Sequence, residues 1–301
     1  VIAGCFSSRP LLSLSLLAAG RIFLGFGESF SSTGSTLWGM NIAGPVHTAR
    51  VISWNGVATY MAMAIGAPLG VMLNQGLGVF GFAGLVALMG AAGFYLASRK
   101  PAVVVTVGQR VPFSQVFRRV WVYGVALGLG TIGFGVIATF ITLYFSSRGW
   151  SGAAMTLTLY SLGFAGVRLV SGNAITRFGG IKVSLVSFIV EAIGLFLLWH
   201  ADSVLAADIG ALLTGCGFSL IFPALGVEAV KQVEQQSQGS ALGTYSAFLD
   251  FGLGITGPVA GLLMNHLGIR SVYLAASLVV IAGVLMMIRL LMRPAKPLPT
   301  S

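Results

Sequence analysis

The chain has 301 residues, of which 56% are apolar and only 8% are charged, and its mean hydropathy is +0.94. Because an average soluble domain carries about 25% charged residues, this composition excludes a soluble globular domain, a disordered chain and a disulfide-rich secreted domain. The 42 glycines follow no Gly-X-Y period, which also excludes collagen. A membrane protein built of several helices remains.

Nine stretches of the sequence are long and apolar enough for membrane-spanning helices, which need about 20 residues each. Residues 1–8 have the composition of the tail of one more such segment. The breaks between stretches carry turn residues, as in Asn74-Gln75-Gly76 and Leu267-Gly268. The predicted spans are 11–38, 49–73, 79–98, 118–146, 151–175, 181–200, 205–230, 239–265 and 271–292.

Basic residues are distributed unevenly over the two sides that these spans define. When the gaps between spans are assigned alternately, one side holds twelve Lys and Arg and the other holds three, which are Arg9, Arg148 and Arg270. By the positive-inside rule the richer side is cytoplasmic, which places the C-terminus inside and the first residues outside. This distribution accounts for the net charge of +10 without a nucleic-acid partner.

The sequence contains an internal repeat. One shift of 190 residues, without gaps, places Gly25, Gly27 and Ser29 on Gly215, Gly217 and Ser219, Pro68 on Pro258, and Leu77-Gly78 on Leu267-Gly268. The first three spans therefore duplicate the last three. Since three further spans precede the second copy, the repeat predicts that about three helices of a twelve-helix protein precede residue 1.

Two tandem six-helix units joined by a basic loop resemble the major facilitator superfamily. The segments GSTLWG at 34–39, RVISWNGVATYMAMAIGAPLG at 50–70, GFGVIATFITLYF at 133–145 and GFSLIFPALGVEAVK at 217–231 are similar to bacterial permeases of the YhhS/YfcJ type. The resemblance implies an all-α fold with a central cavity between two lobes and alternating access. The nine spans would then be helices 4–12 of that fold, which lacks about its first three helices.

The same resemblance divides the chain into four regions. Residues 1–98 would be the remnant of the N-terminal lobe, with helices 4–6, and 99–117 would be a basic cytoplasmic loop. Residues 118–293 would form the six-helix C-terminal lobe, and 294–301 a cytoplasmic tail.

Four charged side chains within the spans are candidates for transport and proton coupling. Arg21 and Glu28 are two turns apart on one helix face, about 10 Å along the axis, and a charge at this depth is costly unless it faces water or a partner. They could form a proton relay or an anion clamp, or Arg21 could anchor neighbouring helices. Asp250 could take up and release a proton, or pair with Arg168 or Arg21. Arg168 could line the cavity or a gate, or reach the interface.

Two other acids in the spans are interpreted structurally. Glu191 lies in the middle of its span and is expected to pair with a neighbouring helix, because the resemblance makes this helix peripheral. Asp208 lies one turn inside a span and is expected to stabilise a helix N-terminus.

Two glycine-proline segments stand at equivalent places of the repeat and predict helix bends. Their residues are Gly66, Pro68 and Gly70 in the first copy, and Gly257, Pro258 and Gly261 in the second. The resemblance relates the first segment to the family's antiporter motif, in which Ala67 here replaces a glycine. It also relates Gly172–Gly180 to the gating motif of the family, in which Arg177 and Gly179 match and Thr176 replaces the acid.

Polar residues on the helices that line the cavity in this family are candidates for substrate contacts. They are Asn55, Tyr60, Thr139 and Tyr160, each of which could instead satisfy a neighbouring backbone carbonyl. The three histidines lie near interfaces, and neither cysteine has metal-ligand spacing. We therefore expect no metal, no cofactor and no catalytic residue.

These features predict a secondary transporter of a small organic solute that works by proton-coupled efflux from the bacterial inner membrane. The expected partners are the lipid bilayer, the solute and a proton, or alternatively Na⁺, and the protein is expected to be monomeric. A truncated, non-transporting permease fragment is the main alternative. An intramembrane enzyme is a remote one, since no nucleophile and base are suitably placed.

Overall fold

The computed structural model describes residues 10–100, 111–171 and 173–292. Some side chains of the first two helices also lie outside the described part, among them those of Arg21, Tyr60 and Pro68. The described ranges contain helices and no strand. The helices are α1 (Pro10–Ala43), α2 (Thr48–Ser98), α3 (Phe113–Ser147), α4 (Ala153–Val170), α5 (Ala174–Phe178), α6 (Gly180–His200), α7 (Val204–Val230), α8 (Gln238–Leu267) and α9 (Ile269–Leu291), with short 3-10 helices at Pro45–His47 and Gln235–Ser237.

The predicted all-α membrane architecture is confirmed. Among the described residues, eight helical stretches are long and apolar enough to cross a membrane, and they coincide with eight of the nine predicted spans. The ninth, 49–73, lies inside α2 and is helical throughout. Helix α3 begins at Phe113, earlier than the predicted 118, because apolar residues of the preceding segment continue the helix.

Helix α2 is in fact two helices joined at a sharp break. Its break is at Gly78, which has φ 66° and ψ 175°. We call residues 48–77 the first arm of α2 and 79–98 the second arm. Gly268, between α8 and α9, has nearly the same conformation, with φ 81° and ψ 165°. Residues with a Cβ rarely adopt this backbone conformation, so both turns require glycine.

The repeat is also visible in the ends of the helices. The shift of 190 residues carries the 3-10 helix Pro45–His47 onto Gln235–Ser237 and the start of α2 at Thr48 onto the start of α8 at Gln238. It also carries the break at Gly78 onto Gly268. The first arm of α2 therefore corresponds to α8, and the second arm corresponds to α9.

Helices α3 to α9 form a tightly packed bundle. Lipid tails provide no hydrophobic force between helices, so small residues that allow close backbone approach become important. Helices α6 and α7 show this: a Cβ added at Gly194 would lie 2.5 Å from the amide nitrogen of Thr214, and one at Gly210 would lie 2.9 Å from the carbonyl oxygen of Gly194. Buried aromatic rings such as Tyr144 and Phe188 fill the space between the other helices.

The N-terminal helices are packed differently. In α1 and the second arm of α2, none of the described residues of the most apolar stretch is buried within the protein. Phe23 and Phe94, for example, are 77% and 79% exposed. Such surfaces are suited to contact with lipid or with other apolar helices.

The two ends of the helices differ in charge. We call one the basic end: here α1, α4, α7 and α9 end, α2, α3, α6 and α8 begin, and Arg119, Lys182 and Lys231 lie at or near helix ends. At the opposite end, Arg148 and Arg270 both bind Asp202, with N–O distances of 3.3 and 2.9 Å. The two described arginines at the opposite end therefore share one carboxylate.

Candidate functional site

A central cavity of about 330 Å³ lies between the N-terminal helices and the bundle. Four of the predicted site residues contribute to its wall: Glu28, Asn55, Arg168 and Asp250. Around these charged and amide groups the wall is formed by small polar residues and by apolar side chains. The remaining lining residues are Gly25, Ser29, Ser32 and Thr33 of α1, Gly56 and Thr59 of α2, Phe134 of α3, Phe222 of α7, and Ser246, Leu249 and Leu253 of α8.

Two carboxylates reach this cavity from different parts of the chain. Glu28 lies on α1 and Asp250 lies on α8, and both are exposed residues that line the cavity. Two like charges that line one cavity repel each other, and water around the exposed groups weakens this repulsion. A proton or a cationic group that enters between them would relieve this repulsion.

Asn55 is held in the wall by its hydrogen bonds to α1. Its amide nitrogen donates to the hydroxyl of Thr36 and, at 3.4 Å, to the carbonyl oxygen of Ser32. Its amide oxygen accepts a hydrogen bond of 3.4 Å from Ser35. The amide is therefore oriented by a polar face of α1, so it can present a fixed dipole to the cavity.

Arg168 lies at the floor of the cavity and is only 3% exposed. Its Nε donates to the carbonyl oxygen of Ser219 at 3.0 Å, and its Nη1 donates to the carbonyl oxygen of Ser53 at 3.2 Å. Its guanidinium carbon lies 4.5 Å from the ring centre of Phe164, a distance typical of a cation–π contact. Arg168 therefore contributes both to the cavity and to the interface between the N-terminal helices and the bundle.

Contacts between the N-terminal helices and the bundle are concentrated at the basic end. Besides Arg168, Gln235 donates to the side-chain oxygen of Asn41 at 3.2 Å. An apolar cluster at the same end joins Met40 and Ile52 to residues of the bundle such as Leu242. The cavity is therefore closed toward the basic end, and it lies on the side of these contacts that faces the opposite end.

Two predicted cavity residues are placed away from the cavity surface. Thr139 is exposed and is not part of the wall. It follows Phe134, which is part of the wall, by five residues, and this turns it about 140° around the helix. Tyr160 is buried behind the wall, where its ring stacks on Phe134 with 5.8 Å between ring centres. The side chains of Arg21 and Tyr60 lie outside the described part.

The glycine-proline segments lie within helices. The conformational break of α2 is at Gly78, not at 66–70, and α8 continues through Pro258. A Cβ at Gly70 would lie 3.5 Å from the ring of Phe82, so this glycine lies where the two arms of α2 pack, while Gly66, Gly257 and Gly261 have open space beside them. The side chain of Pro68 lies outside the described part.

The predicted gating segment forms a short connection at the basic end. Arg177 is in α5, is exposed, and has its guanidinium carbon 5.2 Å from the ring centre of Phe178. Gly179 has φ 86° and provides the turn into α6. The structure thus places both residues at the surface between α4 and α6.

The two acids interpreted structurally from sequence have different surroundings. Glu191 is completely buried, and neither of its carboxylate oxygens has a hydrogen-bond partner among the described residues. Asp208 accepts a hydrogen bond of 2.6 Å from Thr156 on α4, whereas Ser203 caps the N-terminus of α7. The expectation of a paired Glu191 was therefore wrong, whereas the expected effect of the Asp208 charge on the N-terminus of α7 stays a prediction.

Sequence reasoning missed Gly56 and the backbone carbonyls that bind Arg168. Gly56 lies beside the Arg168 guanidinium, and a Cβ there would lie 2.8 Å from its Cζ. Backbone acceptors leave no mark in a sequence. The one available signal was that Gly56 directly follows Asn55, a residue already placed in the cavity.

Comparison with known proteins identifies a family of membrane transporters. The sequence profile described as Major Facilitator Superfamily matches residues 152–301. The uncharacterized MFS-type transporter YhhS of Escherichia coli (strain K12) is 50% identical over 299 residues, which are 99% of this chain and 74% of the relative. YhhS of Salmonella typhimurium (strain LT2) is 50% identical over 301 residues, with 100% and 74% covered.

Solved structures with the same fold include two transporters. The crystal structure of FucP in the outward conformation has a TM-score of 0.70 at 16% identity, covering 95% of this chain and 76% of FucP. That of the human organic anion transporter MFSD10 has a TM-score of 0.72 at 16% identity, covering 92% and 72%.

The fold and these relatives define a polytopic membrane transporter. The chain belongs to the major facilitator superfamily. It is therefore a secondary transporter and not an enzyme, and its environment is a lipid bilayer through which a small molecule passes.

Proposed function

We propose that the protein exports a small organic solute from a bacterial cell in exchange for protons, with Glu28 and Asp250 as the proton-carrying groups. The observation that carries this proposal is that one central cavity has a carboxylate on each side, from α1 and from α8. Binding one proton between them removes a repulsion, so a proton and a bound solute can compete for, or share, the same cavity.

Arg168 supplies positive charge at the floor of this cavity, and Asn55 supplies an oriented amide. A solute with both polar and apolar parts fits a wall that also contains Phe134, Leu249 and Leu253. Arg21 is proposed as a further charged group on the helix that bears Glu28. Three groups are proposed to shape solute selectivity: the amide of Asn55, the hydroxyl of Tyr60 and the ring of Tyr160 behind the wall. A role for Thr139 in solute binding is supported by the sequence alone.

We further propose that the regions 1–98 and 118–293 act as the two moving parts, joined by the basic loop 99–117 and followed by the tail 294–301. The basic end is assigned to the cytoplasm of a bacterial inner membrane. The cavity is then open to the periplasm, as in a transporter in its outward conformation. The glycine-proline segments and the Arg177–Gly179 turn would permit the movement that opens the other end.

Flux measurements in proteoliposomes test this function. The probes are labelled fucose, gluconate and tetraethylammonium, which represent a neutral sugar, an organic anion and an organic cation. Fucose is included because one similar structure is titled a fucose:proton symporter, and gluconate because MFSD10 is titled an organic anion transporter. We expect a pH gradient to accelerate the exit of at least one probe, and a Na⁺ gradient of equal size to have no effect.

Substitutions of the acids make the test specific. Glu28→Gln and Asp250→Asn should each abolish the acceleration by the pH gradient, because a neutral amide cannot exchange a proton. Glu234→Gln is the matched control, since Glu234 is an exposed acid away from the cavity. Gradient-dependent exit that both cavity variants retain would contradict the assignment. A chain that moves no probe, where E. coli YhhS treated in the same way moves one, would be the non-transporting form of the permease.

A further inference from the structure

Arg168 separates two cavities. It lines the central cavity of about 330 Å³, and it also lines a second pocket of about 250 Å³. The second pocket lies toward the basic end, where its wall includes Arg50, Trp54 and Asn173. The buried guanidinium thus lies between the central cavity and this second pocket.

The guanidinium of Arg168 donates hydrogen bonds both to the bundle and to the N-terminal helices. The bond from Nε to the carbonyl of Ser219 stays within the bundle, whereas the bond from Nη1 to the carbonyl of Ser53 crosses to the first arm of α2. The second bond can therefore persist only while the first arm of α2 and α4 remain together.

Close approach to the backbone of the first arm depends on Gly56. Residues three apart in a helix share one face, so the residue at 56 stands beside the carbonyl of Ser53. A Cβ at Gly56 would overlap Nη1 of Arg168 and lie 2.8 Å from its Cζ. The atoms that this Cβ would meet belong to the end of the flexible Arg168 side chain, so the guanidinium would have to shift and would lose its bond to the carbonyl of Ser53. The absence of a side chain at Gly56 thus leaves the space that the Arg168 guanidinium occupies.

We propose that Arg168 seated on Gly56 is the gate between the central cavity and the basic end, and that Gly56 is a positioning residue that allows this gate to close. This inference rests on transport by alternating access, the proposed function. The gate opens when the first arm of α2 moves away from α4, which breaks the bond to Ser53 and joins the two cavities.

Distance measurements between spin labels test the gate without substrate or proton gradient. Both native cysteines, Cys5 and Cys216, are replaced by serine, and cysteines for labelling are introduced at Val46 and Thr176. These two exposed positions lie at the basic end, one between α1 and α2 and the other in α5. Gly56→Ala should shift the distance distribution toward longer values. Gly243→Ala is the matched control, because Gly243 lies in the first turns of α8 with open space beside it, and it should leave the distribution unchanged.

A double-mutant cycle with Arg168→Ala distinguishes the gate from a general packing defect. Arg168→Ala alone should lengthen the distance, and Gly56→Ala should add nothing in its presence, since the clash partner is gone. Overlapping distributions for Gly56→Ala and the parent protein would overturn the proposal, as would equal lengthening by Gly56→Ala with and without Arg168. If Gly56→Ala does not fold, an unchanged distance in Arg168→Ala overturns it instead. Loss of flux in the parent protein would refute the proposed function and leave these distances interpretable.

Discussion

The single residue that departs most from ordinary membrane-protein chemistry is Glu191. It lies in the middle of α6, it is completely buried, and its carboxylate has no hydrogen-bond partner among the described residues. The absence of a side chain at Gly133 makes room for it: a Cβ there would be 3.2 Å from the carboxyl carbon. An unsatisfied buried polar group costs about 1–3 kcal/mol, so we expect Glu191 to lower the stability of the bundle.

We expect Glu191→Met to stabilise the folded protein. Methionine is unbranched, similar in length and apolar, so it fills the same space without the desolvation cost. The gain should be about 1–3 kcal/mol, which raises the melting temperature in detergent by several degrees. Glu191→Gln keeps an unsatisfied polar group and should give little or no gain. A clear decrease in the melting temperature of Glu191→Met would show that the carboxylate has a stabilising partner.

Among single residues, the sequence could identify those whose burial in a membrane has a high free-energy cost regardless of their neighbours. Glu28, Arg168 and Asp250 could be singled out because a charge within a membrane span is expensive wherever it points, and all three line the cavity. Thr139 could not be placed, because its direction depends on how α3 is rotated against α8. Gly56 could not be recognised either, since its role arises from an arginine more than a hundred positions away in the chain.

The helix hairpins are the elements that the sequence specified best. Leu77-Gly78 and Leu267-Gly268 were identified as equivalent turns, and both glycines have positive φ. The glycine-proline segments, which predict helix bends, lie inside helical stretches, and the turns are at Gly78 and Gly268. A proline removes one hydrogen bond and crowds the preceding turn, which bends a helix but still permits helical φ, whereas the conformation of these glycines is incompatible with a helix.

Gly268→Ala is therefore expected to destabilise the α8–α9 hairpin. A residue with a Cβ forced into this backbone conformation costs about 1–3 kcal/mol, although Gly268 has open space around it. The melting temperature of the purified protein should fall by several degrees. Gly254→Ala on α8 is the control: this glycine is helical and uncrowded, so alanine should stabilise by up to about 1 kcal/mol. Equal effects of the two substitutions would mean that steric space, and not backbone conformation, decides at Gly268.

In the whole molecule, the basic end is closed because the N-terminal helices and the bundle contact each other there. Their crossing hydrogen bonds, from Arg168 to Ser53 and from Gln235 to Asn41, lie toward the basic end. The carboxylates of the cavity lie farther along α1 and α8. If the basic end is cytoplasmic, the protein is closed to the cytoplasm, so the orientation in the membrane determines which state of the transport cycle the structure represents.

The orientation can be predicted from the charges at the two ends. At the opposite end Arg148 and Arg270 share Asp202, whereas Arg118, Arg119 and Lys182 at the basic end are exposed, which agrees with a cytoplasmic basic end. Green fluorescent protein fused after Arg99 or Met292 should therefore fluoresce, because it folds in the cytoplasm. Alkaline phosphatase fused after Gly149 or Asp202 should be active, because it needs the oxidising periplasm. Immunoblots of each fusion provide the control for expression, and the reverse pattern of signals would mean that the cavity opens toward the cytoplasm.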